Sequence, residues 1–251
     1  MTPRLVFIHG GMHTGRCWAD TVAAVCELRP DIPLTVVNFP GRADIPGDLA
    51  DITIEECVAA VTKQVDHPGA GTDAPLVLVG HSLAGVILSG VLEQLEIERV
   101  QQVIFIACCV PSLGESALDT LPSVLRSMTK RILKRSPVFH KFPPGWIRYV
   151  LGNHATPEQR AKINAGLVPE SAALATGVVT AGWPESVRKS WVLTSRDRAL
   201  PPRKQRICIR KLGDVDDVVP VDAGHEVMIT HPSELALVLL QLAGCLATID
   251  G

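Results

Sequence analysis

The sequence lacks a strong excess of either charge. Its 24 Lys and Arg residues stand against 26 Asp and Glu residues, which gives a formal net charge of −2 at pH 7. Proteins that hold nucleic acid through its phosphates need a basic surface, and this composition provides no global positive field. We therefore expect no nucleic-acid partner.

The sequence also lacks a long hydrophobic run and a paired-cysteine motif. Its longest apolar stretch, 235–246, is too short to span a bilayer and contains Gln241. No basic segment followed by an apolar one precedes the first apolar run, as a secretory leader would require. None of the seven cysteines forms a C-x-x-C pair, and the adjacent Cys108 and Cys109 face opposite ways on a predicted strand. We expect a soluble cytoplasmic protein without a membrane partner, as a monomer or homodimer, with its cysteines reduced and mostly buried.

What the sequence does contain is a regular alternation of apolar runs and helical patterns. The runs are LVFI (5–8), LTVV (34–37), LVLV (76–79), VIFIA (103–107), WVLT (191–194) and VVPV (218–221). Helical patterns cover about 18–28, 54–65, the segment from Leu83, and about 233–246. Strands that are apolar on both faces and separated by helices indicate a mostly parallel sheet covered on both sides. The 251 residues therefore predict one α/β domain with a doubly wound sheet.

The alternation stops between 111 and 184. This segment is rich in proline, shows no convincing strand, and has apolar residues at helical spacing: Leu121, Leu125, Met128 and Ile132. It also carries a basic stretch at 130–141, which is either a solvated face or a guide for an anionic or carrier-bound substrate. We predict an inserted helical cap at 111–184 over a core made of 1–110 and 185–251.

The sharpest motif is PLVLVGHSLAG at 75–85, in which a buried strand runs into a serine flanked by glycines and followed by a helix. A strained turn of this kind lifts the hydroxyl of Ser82 off the end of the strand and leaves space only for small neighbours, here Gly80, Ala84 and Gly85. Ala84 departs from the usual G-x-S-x-G pattern. In the competing interpretation, the glycines permit a tight turn and Ser82 only caps the helix.

A second motif, FIHGGMHTGRCW at 7–18, ends the first strand. Its glycine loop can direct a backbone N–H group at a substrate carbonyl oxygen, together with the N–H of the residue after the nucleophile. We assign these oxyanion donors to Gly11 and Leu83. We interpret His9 as a structural histidine, whereas His13 either faces the substrate or caps the next turn.

A weakly nucleophilic serine needs a base and an orienting acid. His225 lies in DAGHEVMITHPSEL, just after a predicted strand, and Asp197 lies in TSRDRALPP, just after another. Their chain order, Ser82, Asp197 and His225, is the order used by α/β-hydrolases. The rival acids are Asp214, Asp216, Asp217 and Asp222.

With these residues assembled, the chain resembles α/β-hydrolases of the plant methylesterase and hydroxynitrile lyase family and its bacterial esterase relatives. The motifs that carry the resemblance are HGGMHTGRCW (9–18), GHSLAG (80–85), RDRALP with Gln205 (196–205), and GHEVM with HPSEL (224–235). The resemblance does not extend to the cap. It implies the α/β-hydrolase fold, a Ser-His-Asp triad, no metal or other cofactor, and an apolar pocket under the cap. Cap residues such as Met128 and Trp146 would line that pocket.

Two positions distinguish ester hydrolysis from cyanohydrin cleavage. The hydroxynitrile lyases that this chain resembles have Lys after the catalytic histidine and Thr after the first-strand histidine, where this chain has Glu226 and Gly10. We therefore expect hydrolysis of a small to medium carboxylic ester through an acyl-enzyme. The alternatives are a thioesterase or cyclase of polyketide-type biosynthesis and, less favoured by these residues, a cofactor-free lyase.

Overall fold

The computed structural model describes residues 1–67, 74–120, 123–133, 135–142 and 145–246, without the side chains at 123–125, 128 and 132. The strands are β1 (Arg4–Ile8), β2 (Leu34–Val37), β3 (Leu76–His81), β4 (Val100–Ile106), β5 (Val138–Phe139), β6 (Glu170–Ser171), β7 (Arg188–Thr194) and β8 (Asp217–Val221). The helices are α1 (Ala19–Leu28), α2 (Ile54–Val65), α3 (Leu88–Gln94), α4 (Ser123–Leu133), α5 (Pro157–Gly166), α6 (Ala173–Thr176), α7 (Pro202–Leu212), α8 (Val227–Thr230) and α9 (Pro232–Leu242).

Six strands form one sheet in the order β2-β1-β3-β4-β7-β8, and every neighbouring pair is parallel. Successive residues of β1 enter different cores: Leu5 and Phe7 pack on the α1 and α9 side, and Val6 and Ile8 pack on the α2 and α3 side. A strand buried on both faces needs an unbroken apolar run, which explains LVFI and LVLV. The predicted doubly wound α/β fold is confirmed.

Several helix ends follow from local sequence. Helix α2 begins after Thr53, whose side chain accepts from the Glu56 backbone while the Glu56 carboxylate accepts from the Thr53 N–H, a capping box. Its bounds match the prediction, whereas the last helix ends at Leu242, four residues before the predicted end. Helix α7 was not predicted.

None of the described helices combines the length and apolar character that crossing a membrane requires.

The described part of 111–184 contributes helices α4, α5 and α6 and no strand of the six-stranded sheet. The expectation that this segment has no strand is wrong, because β5 and β6 pair antiparallel, with Val138 opposite Ser171. A strand of two residues is too short to show an alternation of apolar and polar side chains. Its pairing also depends on a partner about 30 residues away in the chain. Helix α4 covers the predicted helical spacing except Leu121, which lies outside the described residues. The exact cap boundaries stay a prediction.

Candidate active site

The turn after β3 presents Ser82 at the carboxyl end of the sheet. Ser82 has φ of +52°, in the left-handed region that residues with a side chain rarely adopt, so the turn stores strain. A Cβ atom on Gly85 would lie 2.3 Å from the carbonyl oxygen of Cys109, which is backbone and cannot move aside. Ala84, the departure from the usual pattern, is fully buried. The turn therefore accepts a methyl group at Ala84 but requires glycine at the next residue.

The loops after β7 and β8 bring Asp197 and His225 to this serine. His225 Nε2 lies 3.0 Å from Ser82 Oγ, and His225 Nδ1 lies 2.7 Å from Asp197 Oδ2. Asp197 is itself held by the Thr194 hydroxyl at 3.0 Å and by the backbone N–H of Leu200 at 2.8 Å. The geometry places the proton on Nδ1, directed at the carboxylate, and leaves Nε2 free to accept the serine proton.

Burial and charge act in opposite directions on His225. Burial lowers the pKa of its imidazole, but the adjacent Asp197 carboxylate favours the protonated ring and gives a net rise in the pKa. A base with such a pKa binds a proton readily at the moment that serine attacks.

Three of the four rival acids are occupied elsewhere. Asp222 accepts hydrogen bonds from the Ser195 hydroxyl at 2.8 Å and from Arg196 Nε at 2.6 Å, at an exposed position. Asp217 pairs with Arg188, and Asp216 accepts from the backbone of Lys189. Asp197 is the aspartate whose carboxylate contacts His225.

The loop after β1, residues 10–13, is called the β1 loop below. Gly11 faces Leu83 so closely that a Cβ atom on Gly11 would lie 2.5 Å from Leu83 Cδ1. Leu83 stands in the first turn of the 3₁₀ helix Ser82–Val86, where backbone N–H groups have no acceptor within the helix. Both predicted oxyanion donors therefore lie beside Ser82, on the wall of one cavity.

Buried charges hold the β1 loop. One carboxylate oxygen of Glu170 accepts from the backbone N–H of Met12, and the other contacts Arg42 Nη2. Arg42 Nη1 donates to the His13 carbonyl oxygen at 3.1 Å. The N–H of Met12 is thereby occupied, which leaves Gly11 as the residue of this loop assigned to the oxyanion.

His9 has the structural role that the sequence favours. Its Nε2 accepts from the backbone N–H of Phe39 at 3.3 Å, and its Nδ1 lies 2.8 Å from the carbonyl oxygen of Gly10. Because one nitrogen accepts and the other donates, the ring is neutral. Burial holds the pKa of His9 well below its usual range. His81 is also buried, which lowers its pKa to about 3.

His13 faces the cavity instead of capping a turn. Its Nδ1 lies 2.8 Å from the carbonyl oxygen of Gly11, and its Nε2 lies 3.1 Å from Glu226 Oε2. Thr14 caps the following 3₁₀ helix. The sequence distinguishes Glu226 only by the sign of its charge, and no local pattern connects it with His13.

The cavity above Ser82 has a volume of about 350 Å³. Its apolar wall includes one residue beside Ser82 and several from the segment 111–184: Leu83, Leu133, Phe139, Phe142, Trp146 and Leu151. Trp146 stacks on Phe142, with ring centroids 5.9 Å apart. Trp146 therefore lines this cavity, whereas the Met128 side chain lies outside the described residues. Among the described residues, no group of three or more His, Cys, Asp or Glu side chains is arranged to hold a metal ion.

Comparisons with known proteins agree with this architecture. The chain is 25% identical over 251 residues to the carbendazim hydrolyzing esterase of Nocardioides sp. (strain SG-4G), covering 92% of this chain and 96% of that protein. It is 26% identical over 271 residues to the probable esterase PIR7A of Oryza sativa subsp. indica, covering 95% of each. A solved extracellular alpha/beta-hydrolase from a Paenibacillus species superposes with a TM-score of 0.84 at 19% identity, covering 95% of this chain and 98% of that one, which shows a common fold.

The family model described as the alpha/beta hydrolase family matches residues 5–237, which include the β1 loop, Ser82, Asp197 and His225. The match covers nearly the whole sheet and the segment 111–184 between its two parts. The chain belongs to the alpha/beta hydrolase family.

Proposed function

We propose that the protein hydrolyses small to medium carboxylic esters through an acyl-enzyme on Ser82. The observation that carries the proposal is the continuous chain of contacts from Ser82 Oγ to His225 Nε2 at 3.0 Å, and from His225 Nδ1 to Asp197 Oδ2 at 2.7 Å, beneath an apolar cavity. The names of the two esterase relatives support the same reaction class.

In the first half-reaction, Ser82 Oγ attacks the ester carbonyl and His225 Nε2 takes its proton. The carbonyl oxygen becomes an oxyanion, which the backbone N–H groups of Gly11 and Leu83 stabilise. One such donor contributes about 3 kcal/mol to the transition state in related chemistry. Collapse of the tetrahedral intermediate breaks the carbon–oxygen bond, and the imidazolium of His225 returns the proton to the leaving alkoxide.

In the second half-reaction, water replaces the alcohol. His225 Nε2 takes a proton from the water as its oxygen attacks the acyl carbonyl, and the same N–H groups hold the second oxyanion. The Ser82 oxygen leaves and regains the proton from His225. Asp197 keeps Nδ1 protonated in both halves and stabilises the imidazolium.

The cavity favours an ester over a cyanohydrin. Among the described residues, the ionisable side chains that line it are Glu170, Glu226, His13, His81 and His225, and Glu226 is already paired with His13 at 3.1 Å. That pair has no net positive charge to hold a departing cyanide. Gly10 has no hydroxyl, and a Cβ atom there would lie 2.9 Å from Ser82 Cβ. The lyase alternative therefore lacks both groups that it needs.

The test is a panel of 4-nitrophenyl esters and matched acyl thioesters, graded by acyl chain length, with Ser82→Ala as the matched control. We expect turnover of the short and medium esters by the wild type and none by the variant. A fluorophosphonate should label Ser82 in the wild type and should not label the Ser82→Ala variant. Faster turnover of the thioesters would favour the thioesterase alternative, and an active Ser82→Ala variant would refute the mechanism.

A further inference from the structure

The residue after the proposed base is a buried carboxylate that has one described partner, His13. Glu226 is fully buried, yet within the described part of the chain neither of its carboxylate oxygens accepts an aligned hydrogen bond. Its one close polar contact is the ion pair with His13 Nε2, at 3.1 Å from Oε2. Oε1 has no partner at all among the described residues, and a buried carboxylate oxygen without a hydrogen-bond donor destabilises the folded protein.

The charge state of the pair follows from geometry. His13 Nδ1 lies 2.8 Å from the Gly11 carbonyl oxygen and His13 Nε2 faces a carboxylate, so both nitrogens face acceptors and both carry protons. Burial lowers the pKa of His13, but Glu226 outweighs it and the net shift is a rise. Burial raises the pKa of Glu226, but His13 outweighs it and lowers the pKa to about 2. Glu226 therefore stays an ionised acceptor.

Glu226 lies next to the proposed base, in the wall of the cavity where the ester would bind. It follows His225 directly in the chain, and both side chains line the cavity that contains Ser82. The other carboxylate of the wall, Glu170, is already occupied by the backbone N–H groups of Met12 and Ser171 and by Arg42. The wall from Leu83 to Trp146 is mostly apolar. A donor on a bound ester, close to the carbonyl that Ser82 attacks, therefore has Glu226 as its strongest acceptor.

We propose that Glu226 is a specificity residue that accepts a hydrogen bond from a neutral hydroxyl or N–H group close to the scissile carbonyl of the substrate. The donor is neutral because His13 already balances the carboxylate charge, so a cation would leave the site with an excess positive charge. A site built to accept such a bond discriminates strongly against an analogue that lacks the donor, since the buried oxygen is then left unpaired. This inference rests on the ester hydrolysis proposed above.

The test uses pairs of methyl esters that differ only in the donor. Methyl mandelate is compared with its O-methyl ether, and the methyl ester of N-acetylphenylglycine with its N-methyl derivative. We expect the wild type to prefer the donor in at least one pair by tenfold or more in kcat/KM, and the pair that responds identifies hydroxyl or N–H as the donor. Comparable kcat/KM values within both pairs would overturn the proposal.

Variants of Glu226 test the assignment to this residue. Glu226→Met removes the acceptor at similar volume and should bring the preference to within about twofold of unity, whereas Glu226→Gln, which keeps one acceptor oxygen, should retain part of it. A preference unchanged in a folded Glu226→Met protein would overturn the assignment. If Glu226→Met does not fold, a donor preference that falls in Glu226→Gln relative to the wild type would support the assignment. An unchanged preference in Glu226→Gln would then overturn it.

The two proposals fail in different ways. Hydrolysis of 4-nitrophenyl acetate with no donor preference would leave the esterase proposal intact and refute only the role of Glu226. Absence of hydrolysis for every ester, in a folded protein, would refute both.

Discussion

Glu170 accepts a hydrogen bond from the backbone N–H of Met12, with a distance of 2.8 Å between the carboxylate oxygen and the nitrogen. Met12 has φ of +59°, and its carbonyl oxygen accepts from the N–H of Val168 at 2.9 Å. The backbone N–H and C=O groups of this strained residue are thus held by Glu170 and Val168, which both belong to the segment 111–184. The segment 111–184 therefore holds the β1 loop as well as lining the pocket, and Arg42 is the ion-pair partner of the Glu170 carboxylate.

The first prediction concerns the buried ion pair between Arg42 and Glu170. Arg42→Met leaves an uncompensated carboxylate beside the proposed oxyanion site, so we expect kcat to fall by about 10²-fold or more with a smaller change in KM. Adding Glu170→Gln removes the charge while an amide oxygen still accepts from Met12, and the double variant should recover part of the lost kcat. Steady-state kinetics at a temperature where circular dichroism shows folded protein would measure both effects.

The exposed pair Arg196–Asp222 provides the matched control, and Arg196→Met should leave kcat within about twofold because exposed ion pairs contribute little. A double variant no more active than Arg42→Met would contradict the electrostatic argument.

The second prediction separates two aspartates. Asp197→Asn removes the carboxylate that orients His225, and we expect kcat to fall by about 10³- to 10⁴-fold because the wrong tautomer cannot accept the serine proton. Asp222→Asn, which breaks only exposed contacts with Ser195 and Arg196, should change kcat little. The reverse ranking in ester hydrolysis assays would transfer the acid role to Asp222.

The third prediction is the pH dependence of kcat/KM. The proposed base works in its neutral form, and its pKa is raised above the ordinary histidine value of about 6.5. Activity should therefore fall as the pH drops through a midpoint above that value, and it should be constant at higher pH until another group titrates. A profile measured with a substrate that has no ionisable group checks this, and a midpoint below the ordinary value would contradict it.

The fourth prediction compares two aromatic residues of the cap. Trp146 lines the cavity, whereas Tyr149, one turn away and more than half exposed, does not. Trp146→Ala should change the ratio of kcat/KM between long and short acyl esters several-fold, and Tyr149→Ala should leave the ratio unchanged. Equal effects of the two substitutions, or a Trp146→Ala effect confined to the melting temperature, would remove Trp146 from the pocket.

Residues that act through local motifs were predictable. Ser82, Asp197 and His225 each follow a different strand, so the parallel sheet places all three at one edge whatever the details of the loops. Contacts between distant segments were not predictable. Glu226 pairs with His13, and Glu170 pairs with Arg42. These partners are more than 100 residues apart in the chain, so the spacing of residues in the sequence does not predict the pairs. The strands β5 and β6 are too short to show alternation, and they depend on the cap folding around them.

The strand order has a consequence for synthesis of the protein. His225 lies 143 residues after Ser82 and 28 after Asp197, on the loop that follows the edge strand β8. A nascent chain that has produced β1 to β4 already contains the serine and both assigned oxyanion donors, but neither acid nor base. Because proteins begin to fold during translation, the ribosome carries an incomplete site until the whole sheet has emerged. Under the proposed mechanism, chains interrupted before β8 therefore lack the base that activates Ser82.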